Sequence, residues 1–178
     1  FIFAGVNIER VEPFDLVVMT KAPLTDGPDP DNDKTRPVAI PPQNMWAGLH
    51  TVAAIVDQVI SQALEPAGIT YRLTGYRPKD YNAAVGGAPK SRHIYGDAID
   101  VWLSHAIIKA GGAKLKAARE TLRMAFARKI VAMSKSSGLG FGFGVYTNDI
   151  HIDVGRKPGK IVTWEQGATY IAKAKKEL

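Results

Sequence analysis

Cysteine is absent from all 178 residues. No disulfide can staple the fold and no thiolate can hold a metal, so any metal must be bound by imidazole and carboxylate. The same absence leaves the redox compartment open. Long apolar runs are missing too: nowhere do about 18 uncharged apolar residues stand together, so no membrane-spanning helix is expected. The apolar opening FIFAGVNIERVEPFDLVVMT is broken by Glu9, Arg10, Glu12 and Asp15 and lacks the pattern of a signal peptide. The sequence begins at Phe1 rather than Met, so a leader is not visible and secretion stays open. Acids are the scarcer charge, 17 against 23 Lys and Arg, for a formal net charge of +6. That balance favours an anionic partner or surface, with bacterial walls, nucleic acid and acidic membranes all qualifying. With 46% hydrophobic and 22% charged residues, residues 1–178 read as one soluble domain long enough to bury a core.

What is present is a pair of polar stretches, TGYRPKDYNAAVGGAPKSRHIYGDAIDVWL from Thr74 to Leu103 and NDIHIDVG from Asn148 to Gly155. After Gly96, Ala98, Asp100 and Trp102 alternate with Ile99, Val101 and Leu103, the period of a strand with one buried face. Asp149, His151 and Asp153 alternate with Ile150, Ile152 and Val154 in the same way. His93, seven residues before Asp100, suits a loop ligand ahead of a strand ligand, with Gly96 permitting the turn. A hydrolytic zinc centre takes three ligands from imidazole nitrogen and carboxylate oxygen and leaves its fourth position to water. His93, Asp100 and His151 meet that requirement. A nearby base must still accept the water's proton and return it to the leaving amine. Asp149, on the face of His151 and two residues before it, is placed for that. Asp153 reads as a carboxylate that orients a ligand imidazole rather than as a fourth ligand. Asp97, on the face opposite Asp100, ranks below it.

The segments TGYRPKDYNAAVGG, SRHIYGDAID and HIDVG resemble, in order and spacing, the zinc D-Ala-D-Ala carboxypeptidase family of murein peptidases, whose pattern is S-x-H-x-x-G-x-A-x-D followed by a distal H-x-D. The likeness covers Trp46 to Gly155. It implies one Zn2+ per chain on His93, Asp100 and His151, with Asp149 as the catalytic acid/base. It also implies that Arg77 of the GYR segment binds substrate and polarises the carbonyl, a role for which a planar guanidinium is suited. Ser91 matches the family's serine. The implied substrate is a peptidoglycan stem peptide, cut by D-Ala-D-Ala carboxypeptidase action or, as the alternative, by murein endopeptidase action in a lytic or phage system. The implied location is periplasmic, extracellular or cell-wall, including a phage-associated one.

The fold class expected is α+β, a small antiparallel sheet carrying the zinc site and flanked by helices. Residues 1–43 read as an N-terminal arm, with one or two short strands in 1–23, followed by a Pro/Asp-rich surface loop. Its Asp26, Asp29, Asp31 and Asp33 are read as solvated, because no twelve-residue calcium loop with a closing Glu follows. Residues 44–155 form the catalytic core. It holds an amphipathic helix over 44–64, where His50 is assigned a structural role, a strand over 69–77 and a short helix over 79–85. A helix over 113–133 follows, with His105 at a helix start. Between His105 and Gly138 there are eight Lys or Arg and one acid, Glu120, a solvated basic face that could also attract wall polymer. Nucleic acid is not an expected partner, since that helix lacks stacking aromatics. The run GLGFGFG lacks the dinucleotide pattern and is read as glycines lining a substrate groove. Residues 156–178 read as a C-terminal helix region opened by a capping box at Thr163 and Gln166. A non-catalytic wall-binding module remains as a second reading, and oligomeric state is open.

Overall fold

The computed structural model describes residues 41–84 and 86–178, so the expected arm strands and the four loop aspartates lie outside the described residues. Period-two alternation produces strands where it was read, and two further strands beside them. β1 (Tyr71–Thr74), β2 (Ala98–Leu103), β3 (Gly140–Val145), β4 (Asp149–Arg156) and β5 (Ile161–Glu165) form one sheet in the order β1-β2-β4-β3-β5. Helix α1 (Trp46–Val59) runs on through a wider π turn at Ile60–Leu64. It is followed along the chain by α2 (Lys79–Ala84), α3 (His105–Ala110), α4 (Gly112–Ser137) and α5 (Gly167–Glu177). Ser104 caps α3 by accepting from the Ile107 N–H, and Gly138, at φ 67°, ends α4 in the left-handed conformation that glycine tolerates. The class is α+β, as expected.

Two details differ from the sequence reading. The sheet is mixed: β1 to β4 pair antiparallel, but β5 runs parallel to β3 on its outer side. Reaching that position from β4 requires a connection over the end of β3, and residues 157–160 make it directly above Gly140. A Cβ on Gly140 would stand 2.2 Å from the Lys157 carbonyl oxygen, so this crossing needs a residue without one. The crossing is tied down by the Gly159 N–H on the Gly138 carbonyl and the Phe141 N–H on the Lys160 carbonyl. The second difference follows from the first. Thr163 lies inside β5, and α5 begins at Gly167 with no side-chain cap, so the capping box does not form. The run IVTWE carries β-branched and aromatic residues and pairs with a waiting edge, which outweighs a four-residue cap pattern.

The apolar halves of the alternating strands define the core. Ile99, Val101 and Leu103, Phe141, Phe143 and Val145, and Ile150, Ile152 and Val154 are all at most 5% exposed. They join α1 (Leu49, Val52, Val56) and α4 (Leu122, Phe126, Ile130) in one cluster, with α1 over β2 and β4 and α4 over β3. Fully burying one such side chain contributes about 1.5–3 kcal/mol, which fixes strand register, because a one-residue slip would turn every one of them outward. Register in turn aligns the polar face. One rung crosses all five strands as Thr74, Asp100, His151, Gly144 and Trp164, and the next carries Ala98, Asp153, Gly142 and Val162.

Candidate metal centre

His93 enters the site from a 3-10 turn, Arg92–Tyr95, closed by Gly96 at φ 67°. A Cβ on Gly96 would meet the Met45 side chain at 2.9 Å, so both conformation and space call for glycine there. The chain leaving β1 wraps the imidazole: the Arg77 N–H donates to the His93 carbonyl at 3.1 Å, and His93 Nδ1 lies 2.6 Å from the Gly75 carbonyl oxygen. A carbonyl only accepts, so Nδ1 carries the proton and Nε2 is left with a bare lone pair. His93 is 1% exposed, and that lone pair points at Asp100 and His151.

His151 is prepared differently. Its Nε2 lies 3.2 Å from Asp153 Oδ2, and Asp153, itself fully buried, is gripped by Arg156 through Nε at 2.8 Å and Nη2 at 2.6 Å. The carboxylate takes the Nε2 proton as a hydrogen bond, leaving Nδ1 bare toward the site. Trp164 on β5 packs edge-on to the imidazole, 5.6 Å between centroids, and Arg156 lies over the Trp164 ring. Burial opposes ionisation of Asp153, but its bonds to His151 and Arg156 prevail and hold its carboxyl below the usual range.

Three acceptor atoms therefore converge. Asp100 Oδ1 is 2.8 Å from His151 Nδ1 and 3.1 Å from His93 Nε2, and the two nitrogens are 3.1 Å apart. A tetrahedral zinc with bonds of about 2.1 Å separates its ligand atoms by about 3.4 Å, so the triangle needs only slight opening to accept one. The donor set is also chemically right: two neutral imidazole lone pairs and one carboxylate oxygen face one another, an arrangement that calls for a cation. Without a metal that cation is a proton. Burial disfavours charge on His151, but hydrogen bonds to Asp100 and Asp153 outweigh it and push its pKa up to about 9. Asp100, where burial is likewise overcome by His93 and His151, sits far below the ordinary carboxylate range. Among the described residues, His93, Asp100 and His151 are the group able to hold a metal ion.

The other sequence candidates fall around this triangle. Arg77 donates from Nη2 to Asp100 Oδ2 at 2.8 Å, fixing the oxygen that faces away from the triangle, while its buried Nε has no protein partner. Asp149 begins β4 opposite Trp102, half-buried and on the face of His151. Ser91 is half-buried before the 3-10 turn, accepting the Ile94 N–H on its carbonyl and making no side-chain cap. Asp97 is not in the triangle and pairs instead with Arg92. His50 is carried on α1 and stands outside the metal-capable group, and His105 begins α3.

The glycines of β3 serve a purpose other than the groove read from sequence. A Cβ on Gly142 would lie 2.1 Å from Asp153 Oδ2, and one on Gly144 would lie 2.9 Å from the Tyr146 ring and 3.3 Å from the His151 Cβ. The missing side chains thus make room for the site's own groups. Tyr146, Trp164, Arg156, Arg119 and Arg123 are the residues around the site that sequence reasoning did not find. Burial, then the negative charges of Asp100, Asp149 and Glu165, raise the Tyr146 phenol above its ordinary pKa.

A buried His and Asp and a half-buried His with convergent lone pairs, gathered at one face of an α+β sheet with a further carboxylate on the same strand face, are the features of a zinc-dependent hydrolase. A family model described as Peptidase M15 matches residues 49–153, more than half of the chain and the whole of the triangle. The chain belongs to the Peptidase M15 family, whose members are zinc-dependent peptidases, in agreement with the resemblance read from the motifs. No curated protein and no solved structure matches the chain. A peptidase takes a peptide substrate, and no helix among the described residues is long and apolar enough to cross a membrane.

Proposed function

We propose that the chain hydrolyses peptidoglycan stem peptides and acts as a D-Ala-D-Ala carboxypeptidase outside the cytoplasm. The observation that carries this reading is the convergence of His93 Nε2, His151 Nδ1 and Asp100 Oδ1, each within 3.1 Å of the other two. These three residues are the proposed ligands of one zinc, which when bound would supply a water of lowered pKa and polarise the scissile carbonyl. Asp149, on the same strand face, accepts the water's proton and delivers it to the leaving amine, a role in which a positioned carboxylate contributes about 10² to 10⁴-fold. Asp153 and Arg156 keep His151 in the tautomer that leaves Nδ1 bare.

Arg77 supports the carboxypeptidase choice. A substrate's terminal carboxylate needs a cation close to the metal, and Arg77 stands against the ligand Asp100, donating from Nη2 to its Oδ2 at 2.8 Å. A guanidinium with part of its surface open, 18% exposed and held against Asp100, presents a bidentate fork suited to a carboxylate. The net charge of +6 suits an anionic wall polymer. Mass spectrometry of muropeptides after digestion tests the reading. Release of free D-alanine is the expected result; cut cross-links or internally cleaved stems without D-alanine would replace it with endopeptidase action, and intact muropeptides would remove it.

A further inference from the structure

The turn between β3 and β4 is fastened from a helix that contributes nothing to the triangle. Arg123 of α4 donates through Nη2 to the carbonyls of Tyr146 at 2.8 Å and Thr147 at 3.2 Å, and Arg119, one helical turn earlier, donates to Asn148 Oδ1 at 2.7 Å. The Asn148 carbonyl accepts from the Leu103 N–H of β2 at 2.9 Å, and the Asp149 carbonyl from the Tyr146 N–H at 3.0 Å. Four successive carbonyls, 146 to 149, are thus each tied to a defined donor, whereas connecting turns are ordinarily among the more mobile parts of a fold.

What this fastening fixes is the backbone that carries the Tyr146 side chain. Its ring and the His151 Cβ meet over the space left by Gly144, at 2.9 Å and 3.3 Å from where a Cβ would stand. Val145 immediately before it is fully buried, yet Tyr146 is 40% exposed. The ring therefore lies beside the triangle, at the edge open to solvent and to an incoming peptide. A phenol is a hydrogen-bond donor at neutral pH, and a donor already fixed beside a reacting carbonyl stabilises charge without reorganising.

We propose that the Tyr146 hydroxyl donates a hydrogen bond to the scissile carbonyl oxygen as negative charge develops on it, and that Arg123 is the positioning residue that holds Tyr146 there. This rests on the peptidase reading above, and the experiment separates the two. Zinc-loaded wild type, Tyr146→Phe, Arg123→Ala and the double variant are compared in steady-state hydrolysis of a peptide ending in D-Ala-D-Ala. Each is also titrated calorimetrically with a phosphinate analogue of D-alanyl-D-alanine, a tetrahedral anion. Tyr146→Phe keeps the ring and should keep KM within about twofold, while kcat and phosphinate affinity both fall on the order of 10 to 100-fold. Arg123→Ala should lose a similar factor in the wild-type background and less than about threefold in the Tyr146→Phe background, because its effect passes through the hydroxyl. Arg123→Lys, which keeps a donor for the same carbonyls, should recover most of the loss. Unchanged kcat and phosphinate affinity in Tyr146→Phe overturns the role of Tyr146 and leaves the peptidase reading standing. Equal losses from Arg123→Ala in both backgrounds overturns the positioning role. A wild type that neither cuts the peptide nor binds the phosphinate overturns both proposals together.

Discussion

Asp149 and Asp153 stand two residues to either side of His151 on one face of β4, and their surroundings differ in almost every respect. Asp153 is fully buried, takes two hydrogen bonds from Arg156, holds the imidazole of His151, and occupies the space that Gly142 leaves beneath it. Asp149 is half-buried at the first residue of its strand, opposite Trp102 and next to the turn. A carboxylate committed to the Arg156 guanidinium and the His151 imidazole and shielded from water is a poor proton acceptor but a good anchor. One at the first residue of the strand is only half-buried. The residue type and the face are the same, so the neighbouring strands decide how each is held, and the proposed proton-transfer role falls to Asp149.

Substituting each in turn is the sharpest way to break this comparison. Asp149→Asn should cut turnover by about 10² to 10⁴-fold. Zinc content and Tm should stay at wild-type values, since the amide preserves shape and lies outside the ligand triangle. Wild-type turnover in that variant would move the proton-transfer role elsewhere, with Asp153 and His105 the next residues to test. Asp153→Asn should do the reverse. It should weaken zinc binding by about 10 to 100-fold, the usual cost of losing a ligand's orienting partner, with turnover returning at excess zinc. Its Tm should fall, because Arg156 loses its buried partner. Zinc affinity unchanged in Asp153→Asn, measured by competition with a chelator, would remove Asp153 from the support of His151.

A smaller effect sharpens the same contrast through pH. In metal-free protein the His151 pKa is raised from 6.5 to about 9, with burial outweighed by bonds to Asp100 and Asp153. A group whose folded pKa exceeds its unfolded value contributes stability that is complete below about 6.5 and is lost as pH rises through about 9. The Tm of chelator-treated protein should therefore decline across that window, and Asp153→Asn should flatten the decline. With zinc the direction reverses, since metal replaces the proton and binds more tightly as pH rises. A Tm of metal-free protein that climbs steadily from pH 6.5 to 9 would contradict the assignment of the shared proton.

The sequence carried the site better than the scaffold around it. His93, Asp100, His151 and Asp153 were legible because each sits in a local pattern, period-two alternation or a glycine-closed turn, that survives into the fold unchanged. Thr163 misled because a capping box is a four-residue signal, whereas the pairing of IVTWE with β3 depends on an edge twenty residues upstream in the chain. The glycines of β3 were visible, but their purpose was not: only register reveals that Gly142 faces Asp153 and Gly144 faces His151. Arg119 and Arg123 read as part of a basic helix face. Their contacts with residues 146–148 span more than twenty positions, beyond the reach of any local pattern.

Metal analysis of protein purified free of chelator is the most direct test of the convergent triangle. Wild type should hold one zinc per chain, and His93→Ala, Asp100→Ala and His151→Ala should each hold essentially none at the same free zinc, because a site of three ligands has none to spare. Full zinc content in His151→Ala would contradict the account, since it would place the metal away from the point on which His93 Nε2, Asp100 Oδ1 and His151 Nδ1 converge.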